Sequence, residues 1–217
     1  MSLPVTAVVI HYQTPDLVDL AVRSFRQCYP EVPLLIVDNG SQDHSRQVIE
    51  ALITTVGGPT QALWMPRNLY HGPAMHRAME EVDTPYVYFF DSDTETHRGG
   101  FLEPMIAALE ADPMAYGAGR VVTVDRRRGF RKPEGMPVLA TPYMLLRRVL
   151  YFRLPPFIHH GLPTIENFRA AEQAGYHLLP FPIETYVHHL GRGTAGRYGY
   201  GLGWRSRLAY LLERLGL

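Results

Sequence analysis

The sequence is nearly without cysteine and nearly without lysine. Cys28 stands alone, so no disulfide can close within the chain, and a reducing compartment is expected. Its neighbours are apolar at helical spacing, which reads as core rather than as a reactive thiol. Lys132 is the single lysine, and arginine supplies every other basic side chain. Arginine is the better fork for phosphate, although a coding bias of the genome would produce the same composition without any function. Excess charge of either sign is also missing: 21 basic residues face 21 acidic ones. Bulk attraction to nucleic acid is therefore not expected. Long apolar runs are absent as well, none approaching the roughly 20 residues that a membrane-spanning helix needs. The opening "MSLPVTAVVIHYQ" has no basic stretch before its apolar run and no small-residue cleavage site. No repeat or low-complexity linker interrupts the chain. These absences lead to the expectation of one soluble, cytoplasmic domain over residues 1–217.

What is present is apolar patterning. At 46% hydrophobic residues the chain can bury a substantial core. "VTAVVIHY" (5–12), "PLLIVD" (33–38), "QALWMP" (61–66) and "PYVYFFD" (85–91) read as strands. Between them, "PDLVDLAVRSFRQCY", "HSRQVIEALITTV" and "GPAMHRAMEEV" carry apolar residues at helical spacing, and "FLEPMIAALEAD" follows the fourth strand. Pro15 and Asp16 suit a first helical turn, and Gly57-Gly58-Pro59 stops the second helix. Strand and helix alternate to about residue 112, which predicts an α/β fold with a mostly parallel, Rossmann-like sheet covered on both faces.

The second half changes character and predicts a smaller, mixed β part. Strands are expected over 119–125 and 138–148, separated by the basic loop "RRRGFRKPEGMP". That loop is either a solvated hairpin or a lid over an anionic ligand. A helix is expected over 164–175, then two short strands within "YHLLPFPIETYVHHLGRGT". The chain closes on "WRSRLAYLLERLGL", an amphipathic helix suited to core packing, a homodimer contact, or a peripheral membrane contact.

Parallel sheets of this kind bind ligands beyond the carboxyl ends of their strands. Asp38 and Asp91 fall at such ends, as do the turns "HYQT" and "PRNLYHG", which carry His11, Gln13 and Arg67. "YFFDSDTETH" (88–97) is the sharpest signal, an apolar run ending in two carboxylates two residues apart. Three readings compete. The acids could cap the next helix, serve as a phosphatase nucleophile, or hold a metal that holds a phosphate. A haloacid-dehalogenase-type phosphatase would place Asp-x-Asp-x-Thr after the first strand. Here the motif follows the fourth, and Glu95 occupies its fifth position.

Several motifs in order resemble the inverting family-2 glycosyltransferases of the A-type fold. Tyr12-Gln13 and Ser24-Phe25-Arg26-Gln27 stand at the first two places of that pattern, and Val37-Asp38-Asn39-Gly40-Ser41-x-Asp43 at the third. Asn68, Leu69, Gly72 and Arg77 match a following Asn-Leu-Gly-Phe-Gly-type stretch, and "YVYFFDSDTE" matches the Asp-x-Asp strand. The likeness is dense to about residue 112 and looser to "HHLGRGT" (188–194).

The resemblance implies a single domain of that fold, with a nucleotide-sugar half (about 1–112) and an acceptor half (about 113–217). It implies transfer of a sugar from a UDP- or dTDP-sugar to a hydroxyl of a glycan, a lipid-linked or a small-molecule acceptor. The donor-binding residues would be His11, Gln13, Asp38, Arg67, Asp91, Ser92 and Arg192. Asp38 would accept from the imide N–H of the base, as an ionised carboxylate can. Asp91 would lie on the ribose side. Asp93 would hold Mn2+, or Mg2+ in its place, with His189 completing the set and His188 as the other candidate. In an extended segment residues i and i+2 face the same way, so both acids can meet one nucleotide. Arg192 would close over the diphosphate. Ser41 and Asp43 would cap the second helix.

The pattern departs at the general base. Where the family places a Glu-Asp pair, this chain has Pro163 and Thr164. Glu166, the one carboxylate in the first turn of the expected helix, is the nominee, against the plain reading of a Glu that favours the helix dipole. The missing pair keeps open a degenerate fold that binds nucleotide or glycan without turnover. Gln13 stands where Asn is common, Tyr70 where Gly is common, and His76 where Asn is common; all three would lie around the nucleotide pocket. His159-His160 are either acceptor-lining or plain loop residues. A sugar-phosphate nucleotidyltransferase would need a Gly-rich loop near the N-terminus, and "IHYQTPDL" has none.

Overall fold

The computed structural model describes residues 2–125, 133–158 and 163–191. The basic loop at 126–132, His159, His160, Arg192 and the closing helix lie outside the described residues. Strands β1 (Val5–His11), β2 (Leu34–Asp38) and β4 (Tyr86–Asp91) are near-continuous apolar runs because both of their faces are covered. With β3 (Thr60–Trp64) they form a parallel set in the order β3-β2-β1-β4. Helices α1 (Pro15–Cys28), α2 (Ser45–Thr55), α3 (His71–Glu81) and α4 (Leu102–Ala111) alternate with these strands.

The sheet continues through the second half. β7 (Met136–Arg147) runs antiparallel to β4, β6 (Ala115–Val124) antiparallel to β7, and β8 (His177–Pro180) parallel to β6. α5 (Arg148–Tyr151) and α6 (Ile165–Gln173) belong to this half. β6 begins four residues before the strand expected at 119. "AYGAG" has low strand propensity, and pairing with β7 and β8 overrides it. Gly117 is needed there, because a Cβ would press on the Leu145 carbonyl oxygen and the Leu146 side chain. Among the described residues no helix is long and apolar enough to cross a membrane.

Alternation along β1 divides the core between the two faces of the sheet. Val5, Ala7 and Val9 face α1 and α4, whereas Val8 and Ile10 face α3. On the first face Phe25 stacks on Phe90 at 5.1 Å between ring centroids, and Tyr29 meets Phe101 edge-on at 5.0 Å. Such pairs each add about 0.5–1.5 kcal/mol beyond area burial. Arg26, 4% exposed, satisfies its guanidinium on the carbonyls of Tyr29, Pro30, Val32 and Pro59, joining the end of α1 to β2 and β3.

Tyr88 is fully buried in this face, and its hydroxyl has no hydrogen-bond partner among the described residues. A buried polar atom left unpaired costs about 1–3 kcal/mol. Tyr88→Phe keeps the ring and removes that cost, so thermal unfolding should show a Tm higher by a few degrees, at about 2–4 °C per kcal/mol for this chain length. A lower Tm would mean that the hydroxyl is satisfied.

Candidate functional site

The register aligns three carboxyl-end residues side by side. His11 pairs with Asp38 across β1 and β2, and Ile10 with Asp91 across β1 and β4. Asp38 is 5% exposed, and burial raises its pKa while hydrogen bonds from Ser41 pull it back. Its Oδ1 accepts the Ser41 N–H at 3.2 Å, and the Ser41 hydroxyl accepts the Gln13 N–H at 3.0 Å. Ser41 therefore fastens two turns of the site together rather than capping α2. Asp43 does receive the Ser45 N–H, at 3.0 Å, where α2 begins. Gln13 is held at φ 53°, one of two non-glycine residues with positive φ among those described.

The next turn is locked to the loop after β3. Asn39 donates its side-chain amide to Asn68 Oδ1 and to the Tyr70 carbonyl, and accepts the Leu69 N–H at 2.9 Å. Gly40 is required twice over: its φ is +77°, and a Cβ would fall on the Arg67 backbone. Arg67 is exposed beside this contact. His11 departs from expectation. It is 0% exposed, with Nε2 2.7 Å from Ser45 Oγ and Nδ1 3.4 Å from Thr14 Oγ1, and burial lowers its pKa to about 4. A neutral ring with both nitrogens engaged offers a ligand nothing, so His11 braces the floor of the site instead.

The acids are placed by a short ribbon that no periodicity announced. β5 (Thr94–Thr96) pairs antiparallel with β9 (Val187–His189), so that Thr94 lies opposite His189 and Glu95 opposite His188. The Leu190 N–H donates to the Asp93 carbonyl at 2.8 Å, and the Thr96 N–H to the Ser24 hydroxyl at 3.1 Å, tying the ribbon to α1. Asp93, 4% exposed, then lies 3.2 Å from His189 Nε2. One ligand atom each of Asp91, Asp93 and His189 fall within 4.8 Å of one another. His188 faces the other way, exposed, with its ring 6.0 Å from that of His97.

The electrostatics follow from this crowding. The Asp91 pKa is raised, first by burial and further by the Asp93 charge, against attraction from His71 and His189. That of His189 is raised by the Asp93 carboxylate. Two carboxylates and an imidazole converging in this way fit a divalent first-row cation, whose charge would relieve the repulsion between the acids. Ser92 is 6% exposed, with its hydroxyl 3.5 Å from that of Thr14. His71 was not anticipated from sequence. Its Nε2 stands 3.7 Å from Asp91 Oδ1 because α3 starts over the end of β4, a placement without local signature. Glu166 lies in the first turn of α6, exposed. The adjoining Asn167 anchors that turn, accepting from the Tyr116 hydroxyl and donating to the Pro155 carbonyl, each at 2.7 Å.

The likenesses to known proteins converge on one fold. A mannosyltransferase, PcManGT from Pyrobaculum calidifontis in complex with GDP-Man and Mn2+, is similar with a TM-score of 0.66 at 16% identity, covering 84% of this chain and 55% of that one. S. aureus TarS 1–349 with UDP gives 0.59 at 15% identity, covering 86% of this chain and 60% of that one. GalNAc-T7 with UDP, GalNAc and Mn2+ gives 0.67 at 14% identity, covering 82% and 41%. The expected α/β architecture, a large and mostly parallel sheet of the A-type glycosyltransferase kind, is thus observed. A teichoic acid poly(glycerol phosphate) polymerase of Staphylococcus epidermidis is 30% identical over 91 residues, which is 42% of this chain and only 13% of that protein's length. The pattern of glycosyl transferase family 2 matches residues 6–169. Three-quarters of the chain thus carries that pattern on the fold its structural neighbours share, and the chain belongs to glycosyl transferase family 2.

Proposed function

We propose that the chain is an inverting, metal-dependent glycosyltransferase that moves a sugar from a UDP- or dTDP-sugar to an acceptor hydroxyl. The carrying observation is the convergence of Asp91, Asp93 and His189 at the sheet edge where Asp38 also ends. Asp38, held by Ser41, accepts from the imide N–H of uracil or thymine. Asp91 takes the ribose side, and Asp93 with His189 holds Mn2+ or Mg2+. Gln13, Arg67 and Ser92 border the donor, and Arg192 is assigned to the diphosphate by its place in the sequence. When bound, the cation neutralises charge on the departing diphosphate. Glu166 takes the proton of the acceptor hydroxyl as that oxygen attacks the anomeric carbon from the face opposite the leaving group. Neighbours solved with UDP favour a uridine donor, and the one solved with GDP-Man and Mn2+ supports the wider nucleotide-sugar class. The name of the polymerase relative adds a phosphate-rich polymer to the acceptor candidates.

Titration calorimetry with UDP tests the reading. Heat of binding should appear with Mn2+, vanish with a chelator, and be lost in Asp38→Ala even with Mn2+ present. Binding indifferent to both would overturn it.

A further inference from the structure

The ribbon of β5 and β9 has a second face. Burial alternates along it, as side chains of a strand must. Thr94 and Thr96 are buried, whereas Glu95 is half-exposed and His97 exposed. On the other strand Val187 is buried and His188 exposed. Glu95 lies directly opposite His188. The His97 N–H donates to the Tyr186 carbonyl at 2.9 Å, so the pairing carries on past Thr96 and holds His97 on the same side as Glu95. Two imidazoles and a carboxylate thus gather on the outer face. His97 Nε2 is 3.9 Å from Glu95 Oε2, and the His97 ring centre is 6.0 Å from that of His188. Asp93 and His189 meet on the inner side, so these three groups are left outside the site described above.

The geometry points to a second cation site on this outer face, in which His97, His188 and Glu95 bind Zn2+ and clasp β5 to β9. Ligand atoms of one tetrahedral Zn2+ stand about 3.3 Å apart, and two imidazoles sharing it place their ring centres about 5 Å apart. The observed 3.9 Å and 6.0 Å exceed those spacings by about 1 Å or less, which small rotations of exposed side chains close. Residues directly opposite on an antiparallel pair have Cβ atoms about 4.5–5.5 Å apart, so Glu95 and His188 start within reach of one ion. Two imidazoles and one carboxylate are a Zn2+ set with a fourth position left for water. The inner set, with two carboxylates to one imidazole, leans instead toward Mn2+ or Mg2+. An ion bridging the strands would brace the register that brings His189 to Asp93. The outer site stands independently of the nucleotide-sugar reading.

Calorimetric titration of the untagged chain with ZnCl2 tests the site in the Asp93→Asn background, which disables the inner set. That variant should still take up Zn2+. Adding His97→Ala or His188→Ala should weaken the uptake by at least the roughly 10- to 100-fold that losing a mere outer partner of a metal costs. Circular dichroism is the folding control, and both imidazoles are exposed, so neither loss opens a cavity. His97→Ala in the otherwise native chain should bind UDP with Mn2+ as wild type does. Zn2+ uptake that is absent from Asp93→Asn, or that survives both histidine substitutions, would overturn the outer site. Loss of UDP–Mn2+ binding in a folded His97→Ala would draw His97 into the inner set and overturn it as well. Wild type that binds no UDP, with Zn2+ uptake still following His97 and His188, would overturn the donor reading and leave the outer site standing.

Discussion

Asp93→Asn is expected to abolish Mn2+-dependent UDP binding and to lower turnover by about a thousandfold or more. The loss corresponds to about 4 kcal/mol of transition-state stabilisation, within what a bound metal supplies at a departing phosphate. The substitution keeps the size of the side chain and removes its charge, so the ribbon of β5 and β9 should persist through its backbone bonds. His189→Ala should weaken Mn2+ in the same direction. Calorimetry with Mn2+ and UDP, with circular dichroism as the folding control, reads both variants. Intact metal-dependent binding in Asp93→Asn would remove Asp93 from the metal site.

The same pair predicts two opposite responses to pH. The His189 pKa is raised by Asp93. In the metal-free protein the pair therefore stabilises the fold below the ordinary histidine value of about 6.5, and that stabilisation fades as pH rises through the raised value. Metal affinity moves the other way. A proton and a cation compete for the same nitrogen, so Mn2+ binding weakens as pH falls through the raised value.

Glu166→Gln is expected to lower kcat by about 10²- to 10⁴-fold, the usual contribution of a general base. UDP–Mn2+ affinity should stay unchanged, because α6 is a separate element from β2 and β4, which end in Asp38 and Asp91, and from the turn after β4 that holds Asp93. The folding control is favourable, since Asn167, Thr164 and Ile165, all buried, hold the start of α6. Turnover equal to wild type would exclude Glu166 as base and direct attention to another carboxylate. Absence of turnover in wild type with any nucleotide sugar, alongside intact UDP binding, would favour the degenerate fold suggested by Pro163 and Thr164.

Local chemistry makes much of this protein legible in its sequence. Strand and helix periods alternate through residue 112 because each element must bury one face or both, and burial is written in the spacing of apolar residues. The positions of Asp38 and Asp91 follow from the same logic: a buried parallel strand can carry acid only where it ends. Asn39-Gly40 is visible as a turn, although the second reason for its glycine, the approach of the Arg67 backbone, is not.

Tertiary structure alone decided the rest. Alternation allowed one of His188 and His189 to face the acids, and the antiparallel register of β5 with β9 brings His189 to Asp93. That pairing joins segments more than 90 residues apart, and three-residue strands carry too little pattern to announce it. His11 has the composition of a ligand-binding residue, yet the hydroxyls of Ser45 and Thr14 close around it from other elements. Ser41 has the look of a helix cap and instead holds Asp38 and the Gln13 backbone. His71 meets Asp91 only because α3 begins over the end of β4. Sequence alone determined that Asp38 and Asp91 reach the carboxyl edge, since hydrophobic burial acts residue by residue along the chain. Which of their polar atoms remain available there was decided by hydrogen bonds between distant segments, and only the folded chain brings those segments together.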